Sequence, residues 1–366
     1  MLLGRSRSRA AAGDRPRRAV PRDGWFLLVL AVGFAVRLGP LLAAGRLGGV
    51  LEYDDGVYYS ASAAVLQGSW PYRDFVFVHP PGVALLLLPV TWLATVTSDT
   101  VALATARVLV CATGALTAAL TYRYLRDRSR PAAVVAGLLY AVWRLPARAE
   151  HTILLEPVLA LALVVALLLL DGARRAADGV PPGRRLRLLA ASGAVMGLSL
   201  GVKVWAAAGC LVLLVHVLRS VRPRDGVTAW VVGLAAGAAV PYGFGLLAGT
   251  RAFVAQVVGL QVGREAPDSV AERVSRLADL AGLGGLDPVA GRLPDLWLGL
   301  GCLAVLAACC VRVARRHPAE RHLVALGVLQ VAMVLLAPAS WYHYLAFAAP
   351  VLAVLVGLAV AGPPAA

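Results

Sequence analysis

From Trp25 to the C-terminus the chain alternates long apolar runs with short polar connections, and the runs show no period-2 alternation. Crossing about 30 Å of hydrocarbon at about 1.5 Å per residue takes about 20 residues. Without water to bond the backbone, such a segment has to satisfy its own N–H and C=O groups, so the runs are predicted as helices and the chain as all-α. Ten spans are expected: Trp25–Gly45, Val101–Tyr122, Pro131–Arg148, Ile153–Leu170, Leu188–Val202, Val204–Leu218, Val227–Gly249, Pro294–Val311, Leu323–Ala337 and Trp341–Val360.

One further apolar run, Gly82 to Thr97, is short and contains Pro89. If it crossed, Arg123, Arg126, Arg128 and Arg130 would fall outside, against the positive-inside rule. It is therefore expected to be an interfacial or re-entrant helix on the outer side; a plain eleventh span is the alternative. With the N-terminus in the cytoplasm, the inner segments 1–24, 123–130, 171–187, 219–224 and 312–321 hold 23 of the 35 Lys and Arg residues. The first run follows a basic leader, as a cleaved signal peptide would, with Leu42-Ala43-Ala44 as its site. Its length and Arg37 favour an uncleaved signal anchor. These features predict a multi-pass plasma-membrane protein with both termini cytoplasmic.

Composition agrees: 60% hydrophobic and 15% charged residues exclude an ordinary soluble domain. The net charge of +15 reports topology, because the basic residues sit between helices, and no nucleic-acid partner is expected. Residues 1–24 read as a basic cytoplasmic tail lying on anionic headgroups. Residues 25–361 read as one transmembrane unit, with 46–100 as its first outer loop and juxtamembrane helix and 250–293 as its second outer loop. The second loop balances Arg251, Arg264, Arg273, Arg276 and Arg292 against Glu265, Asp268, Glu272, Asp279 and Asp287. Within it Val270, Val274, Leu277 and Leu280 recur at helical spacing, predicting a short amphipathic helix. Cys111, Cys210, Cys302, Cys309 and Cys310 all fall in apolar runs, with neither a disulfide framework nor metal-ligand spacing.

Candidate chemistry concentrates between Leu51 and Val83, where acids, aromatics, Arg73 and His79-Pro80-Pro81 crowd one loop. The predicted topology adds Arg107, Arg144, Arg148, Glu150, His151, Glu156, Lys203 and Trp341-Tyr342-His343-Tyr344 to the same face. Lys203 is the sole lysine and lies between two short apolar runs, where it either snorkels or faces an anionic ligand. Cations beside a carboxylate at headgroup depth suit reaction on a lipid phosphate. They neutralise the departing phosphate while the carboxylate takes a proton from an incoming hydroxyl. Tyr53, Tyr58, Trp70 and Tyr72 suit stacking on a sugar ring, and equally an interfacial belt. A transporter or flippase is the alternative from another class, and an inactive assembly subunit a third. The lack of an inverted repeat and the gathering of polar residues on one face weigh against transport.

The order of Asp54-Asp55, Gly68-Ser69-Trp70-Pro71-Tyr72-Arg73-Asp74, His79-Pro80-Pro81-Gly82 and then Arg107 resembles the membrane glycosyltransferases of the GT-C fold. More narrowly it is similar to bacterial relatives of the dolichyl-phosphate-mannose protein mannosyltransferases and of the aminoarabinose transferases (glycosyltransferase family 39-like). The first half of the chain carries the resemblance best. The second half adds the Gly-rich run ending at Lys203 and Tyr342-His343-Tyr344. The resemblance implies an inverting displacement on a polyprenyl-phosphate-linked sugar, such as mannose or another hexose or pentose. A glycan, lipid or protein hydroxyl would accept the sugar, and membrane lipids would surround the enzyme. Asp54 or Asp55 would be the general base, with Asp55 preferred. Adjacent side chains diverge, so the two are expected to differ in role. Arg107, Lys203 and Arg148 would grip the phosphate, and Tyr58, Arg73, Asp74, His79, Glu156, Tyr342 and His343 would line the sugar and acceptor site. A divalent cation, Mg or Mn, held through Asp54 is the one cofactor left open. The large soluble C-terminal domain of several relatives is missing from the pattern, which leaves the acceptor undefined.

Overall fold

The computed structural model describes residues 23–176, 182–220, 224–263, 269–282 and 293–361. Seven of its helices are long and apolar enough to cross a membrane. They are α1 (Gly24–Ala43), α4 (Asp99–Arg126), α7 (Glu156–Arg175), α8 (Pro182–Val202), α10 (Asp225–Val254), α13 (Leu293–Arg316) and α14 (Arg321–Leu336), the last led in by a 3₁₀ turn at Pro318–Glu320. Between them lie α2 (Tyr53–Leu66), α3 (Gly82–Val96), α5 (Arg130–Val142), α6 (Arg144–Ala149), α9 (Ala207–Ser220), α11 (Leu260–Val262), α12 (Val270–Ser275) and α15 (Ala349–Val360). The chain is an all-helical, multi-pass membrane protein.

Three runs expected as full spans form shorter apolar helices instead. A proline inside a helix lacks an N–H and presses its ring on the carbonyl four residues earlier. Pro146 would press on Val142, and α5 ends there, with Trp143 extended at φ −65°, ψ 119° before α6 begins. Pro350 would press on Ala346, so the last run divides into a 3₁₀ segment at Tyr342–Phe347 and then α15. The third break isolates Lys203, whose extended backbone (φ −150°, ψ 133°) separates α8 from a 3₁₀ turn at Val204–Ala206 and α9. Pro89, by contrast, does not break α3, which runs through it for 15 residues and packs on α2 and α4.

Small residues set the closest contacts. Gly193 and Gly197 of α8 interlock with Gly233 and Gly237 of α10. A Cβ at Gly193 would lie 2.0 Å from the Trp230 carbonyl oxygen, and one at Gly237 2.0 Å from that of Ala194. Backbones this close are what small-xxx-small spacing permits between membrane helices. Ser98 and Ser129 cap α4 and α5 by accepting the backbone N–H groups of Val101 and Ala132.

Arg37 of α1 is fully buried and paired with Glu150, and it also donates to the carbonyls of Gly33, Tyr140 and Ala141. Tyr140 donates to the other Glu150 oxygen at 2.7 Å, so this intramembrane charge is matched within the bundle. Of the basic tail only Asp23 and Gly24 are described, and Asp23 accepts from Tyr122 and Arg126.

In the second polar stretch, α10 runs on through a π turn, Ala255–Gly259, into α11. There α12 begins with a Ser269–Glu272 capping box and leads into a 3₁₀ segment, Arg276–Ala281, that buries Leu277 and Leu280 while Val270 stays exposed. Arg264, Glu265, Asp268, Asp287 and Arg292 lie outside the described residues.

Candidate active site

Asp54 and Asp55 occupy the first turn of α2, where unpaired backbone N–H groups and the helix dipole favour carboxylates. Successive residues of a helix point about 100° apart, and the two part accordingly. Asp55 is wholly buried, ion-paired to Arg107, and accepts the N–H groups of Leu51 at 2.9 Å and Ile153 at 3.3 Å. Arg107 also donates to the carbonyls of Leu47 and Gly49. Together they fasten the loop before α2 to α4 and to the chain leading into α7.

Asp54 faces a cavity of about 1070 Å³ instead. The 3₁₀ segment opposite brings His343 Nε2 to 3.8 Å from Asp54 Oδ2. Tyr342 donates to Glu52 Oε1 at 2.8 Å, and the exposed Arg148 guanidinium lies 4.2 Å over the Tyr342 ring. The break in the backbone at Lys203 projects its ammonium into the same cavity. There it pairs with Glu156, at the start of α7, and lies 4.3 Å from the centre of the Tyr344 ring. His79 forms another wall. Its Nε2 is 3.3 Å from the Tyr58 hydroxyl, and Tyr72, at φ 69°, donates to its carbonyl at 2.6 Å. Burial raises the Asp54 carboxyl above the usual carboxylate range, against the pull of His343. Burial likewise pushes the His343 imidazole down, opposed by Glu156 and Asp54.

Beyond Lys203, His79 and Tyr344 the cavity adjoins an apolar hollow of about 370 Å³, lined by Val204, Trp205, Val257, Met333 and Leu336. On the other side of α2 an open groove of about 630 Å³ shares Tyr53, Val57, Val76 and Phe77 with the cavity.

The residues expected at the site therefore divide. Asp54, Tyr58, His79, Lys203, Tyr342 and His343 line the cavity, and Glu156 backs it through Lys203. Asp55, the preferred base, is closed off by Arg107 and two backbone amides, whereas Asp54 faces the cavity. Arg107, expected to grip phosphate, is fully buried and occupied by Asp55. Arg73 and Asp74 pair with each other at the surface, at 2.8 Å. Arg73 together with the Trp70 amide holds the Asp74 carboxyl down at about 2, and Asp74 lines the outer groove, not the cavity. Among the described residues no group of three His, Cys, Asp or Glu side chains is arranged to hold a metal ion. Sequence reasoning passed over Glu52 and Trp205. Glu52 adjoins the acidic run, which was its one visible signal.

The helix bundle that carries this cavity and the adjoining apolar hollow has a GT-C-like fold. The chain is similar in structure to ArnT from Cupriavidus metallidurans in the apo state, with a TM-score of 0.67 at 17% identity over 92% of this chain and 59% of that one. It is also similar to the Archaeoglobus fulgidus oligosaccharyltransferase complex with Zn and sulfate, with a TM-score of 0.55 at 13% identity over 92% of this chain and 48% of that one. The same archaeal enzyme, AglB, with an inhibitory peptide and a dolichol-phosphate matches with a TM-score of 0.52 at 14% identity, over 91% of this chain and 50% of that one. The chain thus spans about half to three-fifths of the length of these structures. No curated protein matches it. Residues 77–338 match the model of glycosyltransferase family 87, and the chain belongs to that family. The matched stretch contains His79, Arg148, Glu156 and Lys203, while Asp54, Tyr58, Tyr342 and His343 lie outside it.

Proposed function

We propose that this family 87 enzyme transfers a sugar from a polyprenyl-phosphate carrier to an acceptor hydroxyl on the extracytoplasmic face, by inverting displacement with Asp54 as general base. The kinship with protein mannosyltransferase and aminoarabinose transferase relatives, read from the loop motifs, belongs to the same proposal. The observation that carries it is the placement of Asp54: a carboxylate open to a large cavity that the one lysine also lines, and that adjoins an apolar hollow suited to a polyprenyl chain. The dolichol-phosphate bound by AglB supports a carrier of this class.

In the transfer, the acceptor oxygen attacks the anomeric carbon from the face opposite the phosphate. The bond from that carbon to the phosphate oxygen breaks, polyprenyl phosphate departs with the electron pair, and the acceptor proton passes to Asp54. Lys203 and Arg148 would meet the phosphate. Lys203 does so from a neutral pair with Glu156, which compensates its buried charge. Tyr58, His79, Tyr342 and His343 would pack around the sugar. Arg107 and Asp55 hold the first turn of α2, which carries the base.

Single replacements separate these roles. With a radiolabelled polyprenyl-phosphate sugar, Asp54→Asn should lose about 10²-fold or more in transfer and keep its fold. Asp55→Asn should lower thermal stability, because it leaves Arg107 buried without its counter-charge, a change of about 3–5 kcal/mol for pairs of this kind. Full transfer by Asp54→Asn together with a folded, inactive Asp55→Asn would return the base to Asp55.

A further inference from the structure

At the end of the bundle opposite the cavity, α4 and α7 finish and α8 begins, and arginines accumulate. Most are occupied internally. Arg128 lies between Asp171 at 2.6 Å and Glu320 at 2.8 Å, and 4.3 Å over the Tyr124 ring. Arg126 reaches Asp23 at 2.8 Å. Arg123 and Arg175 converge on a single carboxylate, Asp127, and Arg175 also touches Asp171, which already serves Arg128. Arg184, in the first turn of α8, is exposed and makes no ion pair among the described residues.

A hollow of about 320 Å³ opens among these last three, lined by Arg123, Leu168, Gly172, Arg175, Ala176 and Arg184. Leu168, Gly172 and Ala176 are four residues apart and so form one stripe of α7. The stripe is low because Gly172 lacks a side chain; a Cβ there would meet only Leu188 Cδ1, at 3.6 Å. The result is an apolar floor under a rim of three guanidinium groups, of which Arg123 and Arg175 share Asp127 and Arg175 also meets Asp171. Arg123 and Arg175 keep 36% and 48% of their side-chain surface open.

We propose that this hollow binds the phosphate headgroup of an anionic phospholipid, with Arg184 as its primary contact. Guanidinium forks match phosphate oxygens in planar, charge-assisted pairs, and the position at the ends of membrane helices is headgroup depth. Arg184 and the outward N–H groups of Arg123 and Arg175 take the phosphate, while the glycerol and first methylenes lie on the Leu168–Gly172–Ala176 stripe. A free phosphate ion would use the same three cations but gain nothing from the floor. The site is independent of the catalytic assignment, since none of its residues reaches the cavity at the other end.

Native mass spectrometry of the detergent-purified full chain tests it, with phosphatidylglycerol as probe, phosphatidylcholine as neutral control and inorganic phosphate as competitor. The wild type should retain phosphatidylglycerol over phosphatidylcholine, and Arg184→Ala should lower that retention by about tenfold with its melting temperature unchanged. Gly172→Leu, which fills the floor and leaves every charge in place, should lower it as well. Equal retention by wild type and Arg184→Ala would overturn the site. Displacement of the lipid by millimolar phosphate, with Gly172→Leu indifferent, would overturn the lipid in favour of a free anion.

Discussion

At the residue scale, the separation of Asp54 from Asp55 decides what the opening loop does. One carboxylate is committed to Arg107 and the other is left to the cavity, with its carboxyl raised by burial. A general base acts only when deprotonated, so activity should fall as pH drops through the Asp54 pKa, at a higher pH than an ordinary carboxylate would give. His343 favours the charged form of Asp54, so His343→Gln should move this acid limb of the pH–rate profile further up. A downward shift or no shift would detach His343 from the base. The break at Lys203 was legible in the sequence as the junction of two apolar runs, whereas its pairing with Glu156, 47 residues away, was not. The choice between neighbouring aspartates was not legible, because it depends on the rotational phase of α2. That phase is set by Arg107, 52 residues away from Asp55 in sequence. Arg73 and Asp74 carried the right residue types for a site, but nothing in their order shows that they satisfy each other.

At the element scale, breaks and close approaches shape the cavity more than helix length does. The divisions at Trp143 and before α15 follow from Pro146 and Pro350, so their cause was present in the sequence even where an uninterrupted span was expected. The glycine seam between α8 and α10 holds the helix that ends at Lys203, and a side chain there would meet backbone. Gly197→Val should therefore destabilise the protein by at least about 1–3 kcal/mol, read as a lower melting temperature in detergent, and should reduce transfer by displacing Lys203. An unchanged melting temperature would mean that the two helices do not approach as closely as described. The cavity wall at Phe77 and Val78 is held by the π turn and α11. Gln256 accepts the Phe77 N–H at 2.8 Å and Gln261 donates to the Val78 carbonyl at 3.2 Å. Residues five apart diverge by about 140° on an α-helix but align across a π turn, so the π turn at Ala255–Gly259 is what lets both glutamines reach the same strand of loop. No pattern of hydrophobic positions announces such a turn.

At the scale of the whole molecule, the two ends of the bundle differ in kind. One opens into an aromatic cavity bearing acids and a lysine, beside an apolar hollow; the other is an arginine network with a basic hollow among the described residues. Positive charge inside and chemistry outside would account for both, and this orientation predicts that a cysteine placed at the highly exposed Tyr53 reacts with an impermeant thiol reagent added from outside intact cells. Labelling there only after the membrane is opened would invert the arrangement. The central claim is that Asp54 and Lys203 face each other across a lipid-phosphate sugar site. A structure of the protein with a short-chain polyprenyl phosphate tests it most directly. The phosphate should lie within hydrogen-bond distance of Lys203, with the chain running into the hollow lined by Val204, Met333 and Leu336 and the Asp54 carboxylate facing the phosphate across the sugar's place. A phosphate lodged elsewhere, with Lys203 still closed on Glu156, would contradict the account.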